Sequence, residues 1–289
     1  MPLTHTSTFR VRHYELDPYG HVNNVMYLRY MQEAAFAASA AAGYPLERYQ
    51  AMQRLWLIHE TEIEYLRPLT FGDTVEVTTW VADFSKVRSR RMYVMRRLGD
   101  EAPAAKGYSD WVFMDTATER PAAIPAELSA AFWPEGQPPV IKRQPFPAPP
   151  PAPAGLFRLR RAVEWRDVDA AQHVNNANYL AYTGECSFAV GAAFGWPHTR
   201  AWQAGFAFLT RGHHVEYRAS AVYGDELEIT TWLSKVGAAS ATRHFEIIRV
   251  SDGKLMARVN TEYVCVHRAT LKPIRIPPEF RADLAPNVS

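Results

Sequence analysis

Polar and apolar residues alternate along much of the chain, and the interruptions of that alternation mark its elements. Phe9-Arg10-Val11-Arg12-His13-Tyr14 puts apolar or aromatic side chains on alternate positions, which predicts a strand. Asp17-Pro18-Tyr19-Gly20 is turn chemistry. A helix is predicted from about Asn24 to Ala42, ended by Gly43 and Pro45 in the order expected of a C-terminus. Its second half, Ala34 to Ala42, is small and uncharged on every face, so it is expected to be buried all round. Four strand-like runs follow at Leu55–Tyr65, Thr74–Phe84, Arg88–Leu98 and Ala104–Met114. Matching runs return at Phe206–Tyr217, Glu226–Leu233, Ala241–Val250 and Leu255–Val266. One long helix against a mostly antiparallel sheet is an α+β layer, and the chain contains the pattern twice.

The repeat holds one register. Asp17/Asp169, His21/His173, Asn23-Asn24/Asn175-Asn176, Tyr27/Tyr179, Glu33/Glu185 and Arg91/Arg243 are each 152 residues apart. Between 15–128 and 167–280, 36 of 114 positions are identical without a gap, so the halves are expected to share a fold. Two long copies suggest a fused dimer, since a solenoid would need shorter and more numerous units. Nine prolines between Pro134 and Pro153 read as a semi-rigid linker, with a partner-recognition peptide as the alternative. The expected division is therefore a first domain at 1–133, a linker at 134–155 and a second domain at 156–289.

Composition narrows the function classes. Of 289 residues, 47% are hydrophobic and 21% charged, the balance of an ordinary globular chain with a sizeable core. A net charge of +2 gives no reason to expect nucleic acid. No run of about 18 apolar residues occurs, so no membrane association is expected. The opening Met1–Thr6 lacks the apolar core of a secretory signal, so the cytoplasm is the expected compartment. Cys186 and Cys265 are expected to be small core residues, and the adjacent His213-His214 lacks metal-ligand spacing. Neither a metal nor an organic cofactor is expected.

The string Glu15-Leu16-Asp17-Pro18-Tyr19-Gly20-His21-Val22-Asn23-Asn24-Val25-Met26-Tyr27-Leu28 resembles the signature of hotdog-fold acyl thioesterases. The branch is that of 4-hydroxybenzoyl-CoA thioesterase and the acyl-acyl-carrier-protein thioesterases. The second copy, Asp167 to Tyr179, looks especially like the carrier-protein branch, itself a tandem of two hotdogs. The resemblance implies two tandem hotdog domains, each an antiparallel sheet wrapped around one long buried helix, together forming a pseudo-dimer with substrate in the seam. It also implies hydrolysis of an acyl thioester of coenzyme A or acyl carrier protein. Asp17 and Asp169 match the family's catalytic carboxylate, and His21 and His173 match the histidine of the carrier-protein branch. Tyr19 and Ala171 stand where that branch has an asparagine.

The chemistry follows from the residue types. Thioester hydrolysis needs a nucleophile or a base for water, and donors for the developing oxyanion. A carboxylate in a turn before a helix supplies the first, and free N–H groups at the helix N-terminus supply the second. Asn24 and Asn176 are candidates for fixing the thioester. Asp17 and Asp169 could instead be ordinary turn residues or N-caps, and both histidines could be structural. Tyr27 and Tyr179 are candidate substrate contacts, with packing as the alternative. Glu33 and Glu185 precede the apolar part of the helix, so each is expected to meet a polar core partner or to face substrate. Lys86, Arg88 and Arg90 alternate along a predicted strand face, opposite Ala238, Ser240 and Thr242 in the other copy. They form either a solvated row or a site for the phosphates of coenzyme A or phosphopantetheine. Two rival functions remain: a hydratase or dehydratase of enoyl or 3-hydroxyacyl thioesters, and a non-catalytic acyl-thioester binding module. Further homodimerisation is left open.

Overall fold

The alternating runs become strands in a computed structural model that describes residues 1–136 and 140–289. Gln137, Pro138 and Pro139, inside the expected linker, lie outside the described residues. The chain divides between Pro145 and Phe146 into two units, so residues of the proline-rich segment belong to each.

In the first unit, β1 (Thr4–Arg10) leads through the Asp17 turn into α1 (Asn24–Ala41) and α2 (Leu46–Ala51). Then come β2 (Arg54–Tyr65), β3 (Thr74–Phe84), β4 (Arg88–Arg97), β5 (Ala105–Asp115), the short β6 (Arg120–Pro121) and α3 (Ala126–Phe132). The sheet is antiparallel in the order β1-β3-β4-β5-β2, with β6 paired to β5. Period-two burial explains it: Val75, Val77, Thr79 and Val81 of β3 and Ser89, Arg91, Tyr93 and Met95 of β4 face inward. A register shift between Ile58 and Glu60 reverses that phase in β2, bringing Thr61 and Ile63 inside. Tyr44, Tyr49, Phe84, Phe113 and Phe132 form a core cluster between the short helices and the sheet.

The second unit repeats the order. It comprises β7 (Phe157–Ala162), α4 (Asn178–Ala193), α5 (His198–Gln203), β8 (Phe206–Tyr217), β9 (Glu226–Ser234), β10 (Ser240–Arg249), β11 (Leu255–His267) and α6 (Pro278–Asp283). Its antiparallel sheet runs β7-β9-β10-β11-β8. Gly43 (φ +81°) and Gly195 (φ +82°) end the long helices in the left-handed conformation that glycine adopts without strain. Among the described residues, no helix is long and apolar enough to cross a membrane.

One expectation about the long helices is corrected. The second half of α1 is not buried all round: Arg29, Glu33, Phe36 and Ala40, spaced four, three and four apart, form an exposed stripe. Glu185 and Phe188 lie exposed at the matching places on α4. An all-small helix face covers a sheet without requiring cover on its other side.

Candidate functional site

In the first unit the chain leaves β1, makes a 3-10 turn at His13–Glu15, and closes a tight loop before α1. The Asp17 N–H donates to the His21 carbonyl (2.8 Å), and Gly20, at φ +79°, donates to the Asp17 carbonyl (2.9 Å). Asp17 Oδ1 accepts the N–H groups of Tyr19 (2.8 Å) and His21 (3.1 Å). The turn reading of Asp17 is therefore real for one oxygen. Its Oδ2 accepts no hydrogen bond among the described residues. The helix cap falls to Asn23, whose Oδ1 accepts the Val25 N–H at 3.0 Å. That leaves the Asn24 N–H, at the start of α1, with no acceptor among the described residues.

The second unit closes the same loop with different commitments. Gln172 takes the place of Gly20 and its left-handed conformation, at φ +63°. Asp169 Oδ1 accepts the Ala171 N–H (2.9 Å), and Oδ2 accepts the side-chain amide of Asn175 (3.0 Å). Asn175 Oδ1 in turn accepts the Ala177 N–H at 3.0 Å. Both oxygens of Asp169 are thus engaged, whereas one oxygen of Asp17 accepts nothing among the described residues.

His21 and His173 are half-exposed, and neither imidazole hydrogen-bonds its aspartate among the described residues. In the first unit the link from carboxylate to histidine runs through the backbone N–H. Asn24 and Asn176 are half-buried, with side-chain amides that make no hydrogen bond among the described residues. Their carbonyls accept the hydroxyls of Tyr65 (3.3 Å) and Tyr217 (3.0 Å), which explains why both tyrosines recur in the repeat.

For three groups of expected binding residues the structure bears on the alternatives. Tyr27 and Tyr179 are buried, packed edge-on against Tyr65 and Tyr217 at 5.0 and 5.5 Å between ring centroids. The Tyr179 hydroxyl accepts the Ala221 N–H (3.3 Å), and burial pushes its pKa up to about 12. These tyrosines lock the start of each helix to a strand end rather than presenting a face to substrate. Glu33 and Glu185 meet neither a core partner nor a buried site, because both point to solvent from the exposed stripe. Finally, the row Lys86, Arg88 and Arg90 is interrupted at Arg90, whose charge is already paired. Lys86 is exposed in the turn before β4, and Arg90 makes a bidentate pair with Asp110 (2.8 and 2.7 Å) over the Tyr108 ring. Arg143, from the proline-rich segment, bonds Asp83 (2.7 and 2.9 Å) and Asp110 (3.1 Å), completing a buried network on the outer face of the sheet. Its carboxylates already neutralise the guanidinium that would have served a phosphate.

A second acid in each loop escaped the sequence reading. Glu15, 1% exposed, accepts the Arg12 N–H (2.8 Å) and side chain (3.1 Å) and the Tyr30 hydroxyl (2.7 Å). Asp167 occupies the same place, accepting from the Glu164 N–H (3.0 Å) and Arg161 (3.1 Å), with Tyr182 buried beside it. The carboxylates hold the Tyr30 and Tyr182 hydroxyls well above the usual tyrosine range, after burial as the larger cause. Each acid also accepts, through its carbonyl, the N–H of the first asparagine of the Asn-Asn pair, Asn23 or Asn175 (2.9 Å in both). These groups position the aspartate loop against the helix. The signal was available as Tyr30/Tyr182 at the repeat offset, but the acid changes from Glu to Asp and so is not an identity.

Two tandem hotdog folds, each with an acid-bearing turn leading into its long helix, define the class of protein. The thioesterase-like superfamily matches residues 11–132 and again 163–284, and the chain belongs to that superfamily. It is 26% identical over 273 residues to the chloroplastic palmitoyl-acyl carrier protein thioesterase of Cuphea hookeriana, covering 90% of this chain and 62% of the relative. A chloroplastic dodecanoyl-[acyl-carrier-protein] hydrolase of Umbellularia californica is 26% identical over 188 residues, 62% of this chain and 49% of that one. The chain therefore spans less than two thirds of the length of these relatives. Among solved structures, the 12:0-ACP thioesterase from Umbellularia californica superposes with a TM-score of 0.69 at 22% identity, covering 90% of this chain and 93% of that one. An acyl-ACP thioesterase from Bacteroides thetaiotaomicron gives 0.69 at 16% identity, with 90% and 97% covered. At these identities the superpositions establish the fold.

Proposed function

We propose that the chain hydrolyses an acyl thioester, with acyl carrier protein as the favoured carrier and coenzyme A as the alternative, to a free carboxylic acid and a thiol. The observation that carries this reading is Asp17, in the turn before α1 of a thioesterase-like chain: two backbone N–H bonds hold its Oδ1, and its Oδ2 accepts no hydrogen bond among the described residues. The names of the relatives support the carrier. In the proposed reaction Asp17 takes a proton from water as that water adds to the thioester carbonyl. The oxyanion is received by the Asn24 N–H with the favourable end of the α1 dipole behind it. Collapse breaks the C–S bond, and the departing sulfur takes the proton to leave as thiol. The half-exposed His21 is the proposed group for orienting the water or the carbonyl.

The test is release of free thiol from acyl-carrier-protein and acyl-CoA series, with the product acid identified by mass. The purified chain should release thiol, and Asp17→Ala with Asp169→Ala together should abolish release. Turnover by the double variant, or no thiol from either carrier at any chain length, overturns the reading. Water added across a double bond without thiol release would make the protein a hydratase instead.

A further inference from the structure

A buried acid, an arginine and a tyrosine stand behind the aspartate turn in each unit, and the two copies assemble them from different positions of the repeat. In the first unit Arg12 lies three residues before Glu15, and the Phe9 ring stacks on Tyr30 with 5.1 Å between centroids and 16° between planes. At the 152-residue offset Phe9 becomes Arg161 and Arg12 becomes Glu164. The second unit's arginine therefore comes from β7, six residues before Asp167. Its guanidinium covers the face of Tyr182 at 3.8 Å, as the Phe9 ring covers Tyr30. The acid shortens from Glu to Asp, yet it stays buried beside the tyrosine and against an arginine. Copies that exchange the members and keep the assembly point to a requirement on the assembly, not on one residue.

Stability alone does not ask for such an assembly. A buried carboxylate is costly to desolvate, and well-packed apolar side chains in its place are often as stable or more so. What the carboxylate supplies is a fixed relation among three elements. In the first unit Oε2 accepts both the Arg12 N–H, just after β1, and the hydroxyl of Tyr30, six residues into α1. The Glu15 carbonyl accepts the Asn23 N–H (2.9 Å), and Asn23 Oδ1 accepts the Val25 N–H (3.0 Å). The Asn24 N–H between them is the one left without an acceptor among the described residues. The same division in the second unit, Asn175 to the Asp167 carbonyl and Ala177 to Asn175 Oδ1, leaves the Asn176 N–H. Leu16 pairs with Val22 across the loop, so Asp17 rides on the same braced piece. From behind, the acid thus settles which N–H stays unused and where the aspartate stands relative to it.

We infer that Glu15 and Tyr30 are positioning residues for the proposed hydrolysis. They hold the Asp17 turn and the start of α1 in the one relation that lets base and oxyanion donor act on the same carbonyl, and neither is asked to touch the thioester. The inference rests on the thioesterase reading. A displacement of about 1 Å in such a pair costs up to about 100-fold in rate, and it leaves substrate binding in place.

Steady-state thiol release by the full chain, measured well below each variant's melting temperature, separates positioning from stability. Tyr30→Phe keeps the ring on Phe9 and removes the hydroxyl, so kcat should fall about 3- to 10-fold with KM within about twofold. Glu15→Leu removes both bonds of Oε2 and should lower kcat about 100-fold. In Glu15→Gln the amide oxygen stands in for Oε2 towards Arg12 and Tyr30, and at least about 10-fold of that loss should return. If Glu15→Leu fails to fold, Tyr30→Phe decides. A lowered melting temperature with unchanged kcat, a loss carried by KM alone, or a Glu15→Gln as slow as Glu15→Leu overturns the inference while wild-type turnover stands. No thiol release from the wild-type chain overturns the thioesterase reading, and the positioning role with it.

Discussion

The unequal commitments of the two aspartates lead to different outcomes for the same chemical change. Asp17→Asn retains an Oδ1 to accept the Tyr19 and His21 N–H groups, so the turn should persist and stability should change by less than about 0.5 kcal/mol. What is lost is the charge at Oδ2. General-base contributions of roughly 10²- to 10⁴-fold correspond to about 3–5 kcal/mol of barrier, and kcat should fall by that factor. Asp169→Asn does the reverse. Its new amide meets either the Asn175 amide or the Ala171 N–H, donor against donor, whichever way it is turned. An unsatisfied group costs about 1–3 kcal/mol, and the half-exposed position favours the lower end, about 1–1.5. For a unit of this size that lowers Tm by roughly 2–6 °C, while kcat should fall less than about 10-fold. Thiol release under saturating substrate and a thermal melt of each single variant are the two measurements. A kcat loss of about 100-fold or more in Asp169→Asn with an unchanged Tm, and an active Asp17→Asn, would refute the assignment.

Two further outcomes follow from buried groups. His213 is enclosed in the second unit with Nδ1 against Thr261 Oγ1 (2.9 Å), and burial pushes its pKa down to about 3 from an ordinary 6.5. The unfolded chain then binds the extra proton between pH 6.5 and about 3, so stability is lost as pH falls through that window, by roughly 2 kcal/mol at pH 5. His213→Thr, the residue at the matching Thr61, should remove that part of the difference between urea midpoints at pH 7.5 and 5; an unchanged difference counts against it. Burial also pushes the Cys186 and Cys265 thiols up to about 12 and 11. The native chain should therefore consume almost no thiol reagent at neutral pH and the denatured chain two equivalents, and rapid native labelling would contradict the burial.

The strands and long helices were legible because alternation and the 152-residue repeat reported the same elements independently. Most predicted strand limits fall within a residue of the observed ones. The turn before each helix was legible too, since Asp, His and Asn-Asn recur at a fixed spacing where backbone groups need partners. Tertiary pairing was not. Nothing local says that Arg90 meets Asp110 from β5 and Arg143 from 33 residues further on, because those neighbours are set by the register of an antiparallel sheet. Glu33 illustrates the converse error. Alanine on every side of a helix is compatible with burial, but it does not demand it, and the stripe through Glu33 and Phe36 remained outside.

The adjacent pair Arg90 and Arg91 shows how far one residue step separates roles. Successive strand residues point to opposite faces, so identical side chains enter opposite environments. Arg90 faces outward into a carboxylate network that neutralises it, while Arg91 faces inward beside aromatic rings, with no anion against it among the described residues. The repeat retains the inner arginine as Arg243 and replaces the outer one by Thr242. The outer network is dismantled without leaving a buried unpaired charge, since the acid matching Asp110 is Glu262, which is exposed. Indeed Asp83 becomes Lys235 in the second copy. A buried guanidinium without a carboxylate carries no such compensation and depends on neutral acceptors, here the Thr79 and Thr231 hydroxyls at matching places. Asn287 adds a second acceptor in the second unit, so the two inner arginines are held differently although the repeat retains both.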